Sequence, residues 1–275
     1  MPDADWQQWL GRTEQCEGQL GIDTVARIAA AFDQPALKAG EELPLLWHWC
    51  FFQNPPSTQM LADDGHPLPG NFLPPVHGRP RMWAGGRLEF LHGLRVGEPA
   101  VRHSRILRCD EKAGRSGALV FVTVAHEYHQ GGQLCLREEQ DIVYKAPAPF
   151  AHREGERPPG ADWSATAHPT QALLFRYSAV TFNSHRIHYD FPYATQTEGY
   201  PGLVVHGPLI ATLNAAVFVA ANPLAVPRQF AFRNVLPLIA PERFQLAGRH
   251  DEPGKARLWA ANAQGICQAA ELYFD

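Results

Sequence analysis

The stretch from Tyr177 to Leu209 concentrates side chains able to move protons near neutral pH. It opens Tyr177-Ser-Ala-Val-Thr-Phe-Asn183-Ser-His185-Arg-Ile-His188-Tyr-Asp190 and closes Gly202-Leu-Val-Val-His206-Gly207-Pro-Leu. Imidazole is the side chain whose ordinary pKa lies closest to neutrality, so a histidine here is the natural general base. His188 follows Asn183 by five residues, a spacing that lets a side chain in a turn and one on the helical turn beyond it face a common water. Gly207 lacks a Cβ and precedes Pro208, which suits it to present its backbone N–H at a helix N-terminus, where the dipole favours developing negative charge. Base, held water and oxyanion donor are together what the addition of water beside a carbonyl requires.

Each residue also has a plainer reading. A histidine is often a hydrogen-bonded structural residue, Gly207 can serve only as a helix cap, and His206 can orient the helix entrance rather than act chemically. Asp190 lies two residues beyond His188, a spacing that on a helix turns the two apart, so it is expected to serve structure. His185 and His188 at i and i+3 can share one helical face toward a metal, but no third ligand is placed by sequence, and no metal is expected. His126-Glu-Tyr-His129 misses HExxH by a residue and lies in a strand pattern, where i and i+3 face opposite sides. Arg79, Arg81, Arg87, Arg95, Arg102, Arg105, Arg108, Lys112 and Arg115 face only four acidic residues over the same span. They can hold phosphates or a carboxylate, or equally form a solvated strand face. Arg176 and Arg186 flank the histidine segment and are its nearest candidates for a carboxylate.

The elements that must position these residues occur twice. An apolar segment opened by proline runs from Pro44 to Asn54-Pro55 and again from Pro208 to Asn222-Pro223, and both are expected to be helices, since proline suits a first turn and stops a helix when it recurs. A strand follows in each half, Leu88 to Leu94 and Phe230 to Leu236. Hairpins then close each half: Leu119 to Tyr128 with Leu134 to Tyr144, and Arg257 to Asn262 with Ile266 to Phe274. The later helix, Leu209 to Ala221, is apolar nearly all round and must be surrounded. An antiparallel sheet curled about a buried helix is the hot-dog arrangement, and two copies predict an α+β double hot dog. Residues 1–150 would form the first unit, 151–168 a proline-rich linker and 169–275 the second unit.

The chain has 275 residues, 45% of them hydrophobic, enough for real cores. Its 24 basic and 28 acidic side chains leave a formal charge of −4, which argues against nucleic acid or an anionic membrane as partner. The acidic start lacks a secretory pattern, so a soluble, cytoplasmic protein is expected. Five scattered cysteines without CxxC spacing are expected to be buried reduced thiols. No GxGxxG, P-loop or GxSxG occurs.

The histidine segment resembles the MaoC-like, (R)-specific enoyl-CoA hydratases and the type 2 hydroxyacyl-thioester dehydratases, whose motif runs roughly Tyr-x-x-Leu-Ser-Gly-Asp-x-Asn-Pro-Leu-His-x-Asp before a His-Gly that opens the central helix. Tyr177, Val180, Thr181, His188, Asp190, His206 and Gly207 fall on or near that pattern. Phe182 replaces its glycine and Asn183 its catalytic aspartate. The two-half layout and Arg81-Met-Trp-Ala-Gly-Gly-Arg87-Leu-Glu-Phe90 are similar to the two-domain branch that includes mesaconyl-C4-CoA and itaconyl-CoA hydratases. The resemblance implies hydration of an enoyl-CoA, with a methyl-branched C4-dicarboxylic chain going to citramalyl-CoA, and no cofactor beyond the coenzyme A of the substrate. It implies His188 as acid and base, Asn183 as holder of the water because an amide cannot relay a proton, and Gly207 as oxyanion donor. Arg176, Arg186 and His206 would contact substrate, the first half would shape the acyl pocket, and a homodimer is compatible. A dehydratase of straight-chain 3-hydroxyacyl thioesters, a thioesterase and a silent acyl-CoA binding protein are the alternatives.

Overall fold

The computed structural model describes residues 6–76, 78–114, 117–146 and 150–275; Arg115 of the basic cluster lies outside them. The first half contains β1 (Thr13–Gln19), α1 (Ile22–Ala31), β2 (Arg81–Phe90), β3 (Pro99–Gly114), β4 (Gly117–Gln130) and β5 (Gln133–Lys145). The second repeats the order with β6 (Trp163–Ala167), α2 (Gln171–Val180), α3 (Gly207–Ala221), β7 (Pro227–Asn234), β8 (Phe244–Glu252), β9 (Lys255–Asn262) and β10 (Gly265–Phe274). Among the described residues, ten strands join one antiparallel sheet in the order β1-β3-β4-β5-β2-β7-β10-β9-β8-β6. The seam between the halves is the β2–β7 ladder, from Gly85 opposite Arg233 to Glu89 opposite Gln229.

The second half is a complete hot dog. Pro208 starts α3, and Asn222 closes it by donating its side-chain N–H to Phe218 O at 3.0 Å just before Pro223 forbids continuation. Leu209, Ile210, Ala211, Ala215 and Phe218 are buried against the curled sheet and α1. The first half departs from expectation. Its proline-led segment forms only a 3-10 turn, Trp47–Cys50, because Leu46 (φ +68°) and Phe52 (φ +58°) enter the left-handed region on either side. A buried carboxylate pins that turn to the sheet. Glu138 on β5 accepts from His48 Nε2 (3.3 Å), Trp49 Nε1 (2.8 Å), Tyr128 OH (2.7 Å) and Gln140 Nε2 (2.9 Å). The expectation of a long helix wrapped by each half therefore holds for the second half alone.

Two smaller expectations also shift. Leu88 to Leu94 leaves the sheet after Phe90, where the N–H groups of Leu91 and His92 both turn to Cys135 O, and the strand begins earlier, at Arg81. The expected linker carries no regular secondary structure through Asp162 and then becomes edge strand β6, where Trp163 packs its ring on Phe218 of α3 at 5.8 Å. All five cysteines are buried and free. No helix among the described residues is long and apolar enough to cross a membrane.

Candidate active site

The site forms where α2 ends, α3 begins and a loop of the first half arrives. Thr170 accepts the Leu173 N–H (3.1 Å) to start α2, and the Thr181 hydroxyl donates to Tyr177 O (2.6 Å) at its end. Phe182, at φ +50°, then reverses the chain. Asn183 Oδ1 accepts the backbone N–H of His185 (2.9 Å), an Asx turn that carries the chain into the 3-10 turn Arg186–His188. His188 is therefore on a short turn rather than a helix, and the carbonyl of Asn183 is already engaged by its own loop.

His188 is buried, and its Nδ1 lies 2.7 Å from Val204 O. A carbonyl only accepts, so Nδ1 carries the proton and Nε2 keeps the lone pair. Burial pushes the His188 pKa down to about 4, opposed by the Val204 carbonyl and aided by His66. It stands neutral at physiological pH, which is the form a base needs. His206 stacks on it at 3.6 Å and 19°. That ring is fully buried, meets Ser178 Oγ at 2.8 Å, and is driven far below the usual histidine range by burial and then by His188 and His185. His206 thus lies fully buried against His188, a placement in keeping with the orienting role named for it above.

Gly207 is the first residue of α3, so its N–H has no intrahelical acceptor. A Cβ there would lie 2.4 Å from Asn234 Nδ2. Asn234 Nδ2 donates to Trp83 O (2.8 Å), while Gln268 Nε2 donates to both Asn234 Oδ1 (2.8 Å) and Gly207 O (2.9 Å). This network fixes the helix entrance to the β2–β7 seam. Sequence reading missed Asn234 and Gln268, although polar residues in strands otherwise apolar on their buried face were the available signal.

Both arginines expected to bind substrate are committed elsewhere. Arg186 donates through Nε and Nη2 to Asp190 (2.9 and 2.8 Å), through Nη1 to Asp63 O (2.9 Å), and lies over the Tyr193 ring at 4.1 Å. Arg176 is exposed and reaches Ala30 O at the end of α1 (3.4 Å). Asp190 also accepts the Tyr193 N–H (3.1 Å), a structural role in keeping with its spacing. Most of the basic cluster is ion-paired along the strands: Arg79 with Glu111, Arg87 with Glu139 and Asp141, Arg95 with Glu42, Arg102 with Glu14, and Arg108 with Asp110. The solvated-face reading applies to them. His126, buried on β4, meets Ser104 Oγ at 2.8 Å and is structural.

The loop at residues 62–67 was invisible to sequence reading. Arg186 N–H donates to Asp64 O (2.9 Å), the Ser184 hydroxyl donates to Gly65 O, and the His66 ring packs on His185 at 4.0 Å. Gly65 has φ +86°, and a Cβ would sit 1.8 Å from Ser184 O, so only glycine allows this approach. Asp64 accepts both the backbone N–H and Nδ1–H of His66, each at 2.9 Å. Asp64, His66 and His185 present ligand atoms within 4.8 Å of one another, a group that takes in His185 but not the His188 with which its i, i+3 spacing had paired it.

A base with one open nitrogen, seated beside the N-terminus of a helix in a paired hot-dog fold, defines an acyl-thioester hydro-lyase. The fold matches the MaoC-like dehydratase of Phytophthora capsici (TM-score 0.74, 12% identity, 99% of this chain and 98% of that one). It also matches HtdX of Mycobacterium tuberculosis (TM-score 0.68, 18% identity, 95% and 99%). Residues 46–240 match the family model of hydroxyacyl-thioester dehydratase type 2. The chain belongs to that family. It is 46% identical over 256 residues to the mesaconyl-C4-CoA hydratase of Chloroflexus aurantiacus, covering 90% of each chain. It is 28% identical to the mitochondrial hydroxyacyl-thioester dehydratase type 2 of Schizosaccharomyces pombe, covering 70% of this chain and 72% of that one.

Proposed function

We propose that the protein hydrates a methyl-branched C4-dicarboxylic enoyl-CoA, mesaconyl-C4-CoA, to citramalyl-CoA. The observation that carries the chemistry is His188, neutral and buried, with Nδ1 given to Val204 and Nε2 left open. The substrate class is supported by the 46% identity to a mesaconyl-C4-CoA hydratase over 90% of both chains. His188 Nε2 removes a proton from water as the oxygen bonds to the β-carbon. The electrons of the double bond pass toward the thioester oxygen, where the Gly207 N–H and the α3 dipole stabilise the charge. The imidazolium then gives its proton to the α-carbon. A histidine held near pKa 4 takes a proton only as negative charge develops beside it, and releases it readily.

In this reading Asn183 shapes the turn that aims His188, leaving its side-chain nitrogen for a substrate or water. The first half closes the site with loop 62–67. Hydration is redox-neutral, so coenzyme A, carried by the substrate, is the only cofactor the proposal uses. We assign the enzyme to the cytoplasm, and a homodimer is compatible with this reading. The family match favours one second reading, dehydration of straight-chain 3-hydroxyacyl thioesters.

Loss of enoyl-thioester absorbance with mesaconyl-C4-CoA and with crotonyl-CoA tests this. We expect kcat/KM to favour mesaconyl-C4-CoA by about 100-fold or more, since a site built around a polar group rejects an analogue lacking it. A preference for crotonyl-CoA selects the straight-chain reading. Thiol release would reveal a thioesterase, and no turnover at stoichiometric enzyme a binding protein.

A further inference from the structure

The two halves can be matched through their backbone hydrogen bonds, and the match isolates the segment that carries the base. Helices α1 and α2 end alike: Asp33 (φ +53°) and Phe182 (φ +50°) reverse the chain, after which Gln34 N–H donates to Ala29 O (2.9 Å) and Asn183 N–H to Ser178 O (2.8 Å). The halves are in step again at Leu43, whose N–H donates to Leu94 O (2.7 Å), and at Val205, whose N–H donates to Leu238 O (2.8 Å). Between these points the first half needs only residues 35–42, whereas the second runs through 184–204. His185 and His188 therefore sit on an insertion for which the repeated frame has no seat.

The seat comes from the other half. Loop 62–67 is a closed turn: Gly65 N–H donates to Ala62 O (2.9 Å), Ala62 N–H to His66 O (2.8 Å), and Leu61 bridges Pro67. Its tip holds each of the three residues from Ser184 to Arg186. The Ser184 hydroxyl donates to Gly65 O, the His185 ring packs on His66 at 4.0 Å, and Arg186 gives its backbone N–H to Asp64 O (2.9 Å) and its Nη1–H to Asp63 O (2.9 Å). His188 closes the same turn, with its N–H donated to His185 O (3.2 Å) and its ring edge-on to His185 at 5.4 Å. We infer that the tip of this loop, Gly65 and His66 above all, is the positioning element that aims His188 at the reacting water. The inference rests on the reading of His188 as the base.

Two features of the tip serve that role. The Asp64 carboxylate accepts both the backbone N–H and the Nδ1–H of His66, each at 2.9 Å, so the ring is held against His185. Gly65, at φ +86°, lies so close that a Cβ would stand 1.8 Å from Ser184 O, inside the 3.0 Å that real Cβ atoms respect. An alanine there drives the two backbones apart by about 1 Å, and a displacement of that size in a catalytic group costs about 10² in rate. The Val204 carbonyl, at the far end of the insertion, fixes the His188 tautomer at 2.7 Å, and the loop fixes the place from which the ring reaches it.

The experiment measures kcat and KM on mesaconyl-C4-CoA and on crotonyl-CoA, the thermal midpoint, and the imidazole nitrogen chemical shifts of His188, in wild type, Gly65→Ala, His66→Ala and His66→Phe. We expect Gly65→Ala to lower kcat by about 100-fold, equally on both substrates and with KM within a few-fold, since the base is common to both reactions. Its His188 should lose the single Nδ1–H form that Val204 imposes. His66→Ala should lose about tenfold in kcat, and His66→Phe, which keeps a ring against His185, should regain most of that loss. Wild-type kcat and an unchanged His188 spectrum in Gly65→Ala would overturn the inference, as would a fall in activity that only follows loss of folded protein. A His66→Phe enzyme as poor as His66→Ala would make His66 a polar reagent rather than a support, and also overturn it. Turnover near wild type in His188→Ala would mean instead that the base reading has failed first. Should Gly65→Ala not fold, Ser184→Ala, which loses the hydroxyl bond to Gly65 O, joins the His66 variants, and unchanged kcat in both Ser184→Ala and His66→Ala overturns the inference.

Discussion

Each half of the molecule buries an ionisable group near the start of its core segment, and the two groups have opposite surroundings. Glu138, in the first half, accepts from four donors, and although burial would raise its pKa, His48, then His126 and Tyr128, outweigh that and hold it at about 2. His188, in the second, has one hydrogen bond and one open nitrogen. A saturated buried charge is a structural clamp. A buried group left one partner short is a reagent, because what it lacks is what the substrate supplies. The same contrast separates the core segments: the first half folds its segment into a short turn around its clamp, whereas the second continues as α3, whose N-terminus faces the chemistry.

The sharpest way to break this comparison is to exchange the two groups for alanine. His188→Ala is expected to lower kcat per folded molecule on the enoyl-CoA by about 10² to 10⁴ because it removes the proton carrier, with a smaller loss of thermal midpoint from the Val204 hydrogen bond and the His206 stack. Turnover within a few-fold of wild type would mean that another group is the base.

Glu138→Ala should do the reverse. It strands His48, Trp49 and Tyr128 without their common acceptor, and breaking such a buried pair costs about 3 to 5 kcal/mol. Urea denaturation should record that loss, while activity per folded molecule persists. A stable Glu138→Ala protein with little activity would move Glu138 from the clamp to the reaction.

Acidification sharpens the contrast with a smaller effect. His188 titrates near 4 when folded against an ordinary 6.5, so the neutral form belongs to the native state, and its contribution is complete above pH 6.5 and declines as pH falls toward 4. Glu138 is depressed from 4.5 to about 2, so its contribution is complete above 4.5 and declines toward 2. The acid limb of kcat/KM should therefore lie near pH 4, below the onset expected of an ordinary histidine. A limb near 6.5 would show that His188 is not buried in the working enzyme.

Much of the site could be read along the chain. His188, Gly207, Asp190 and the span of α3 lie within one local segment, where proline, helix periodicity and motif spacing act over a few residues. The strands of both hairpins were legible for the same reason, since alternation and turn residues are local. Arg176 and Arg186 show that proximity in sequence does not say where a long side chain ends: Arg186 pairs with Asp190 one turn on, whereas Arg176 reaches across to the Ala30 carbonyl of the first half.

Local sequence determined that His188 and Gly207 belong to one segment, that Gly207 opens the buried helix and that the chain has two related halves. The fold alone decided that those halves share one sheet through β2 and β7, and that the first contributes a clamp rather than a second helix. It also carried Gly65 and His66 onto Ser184 and His185. That last contact joins residues 119 positions apart. No short-range preference encodes such a meeting: it follows from the strand order that lays the first half against the second, and from a glycine small enough to let two backbones touch.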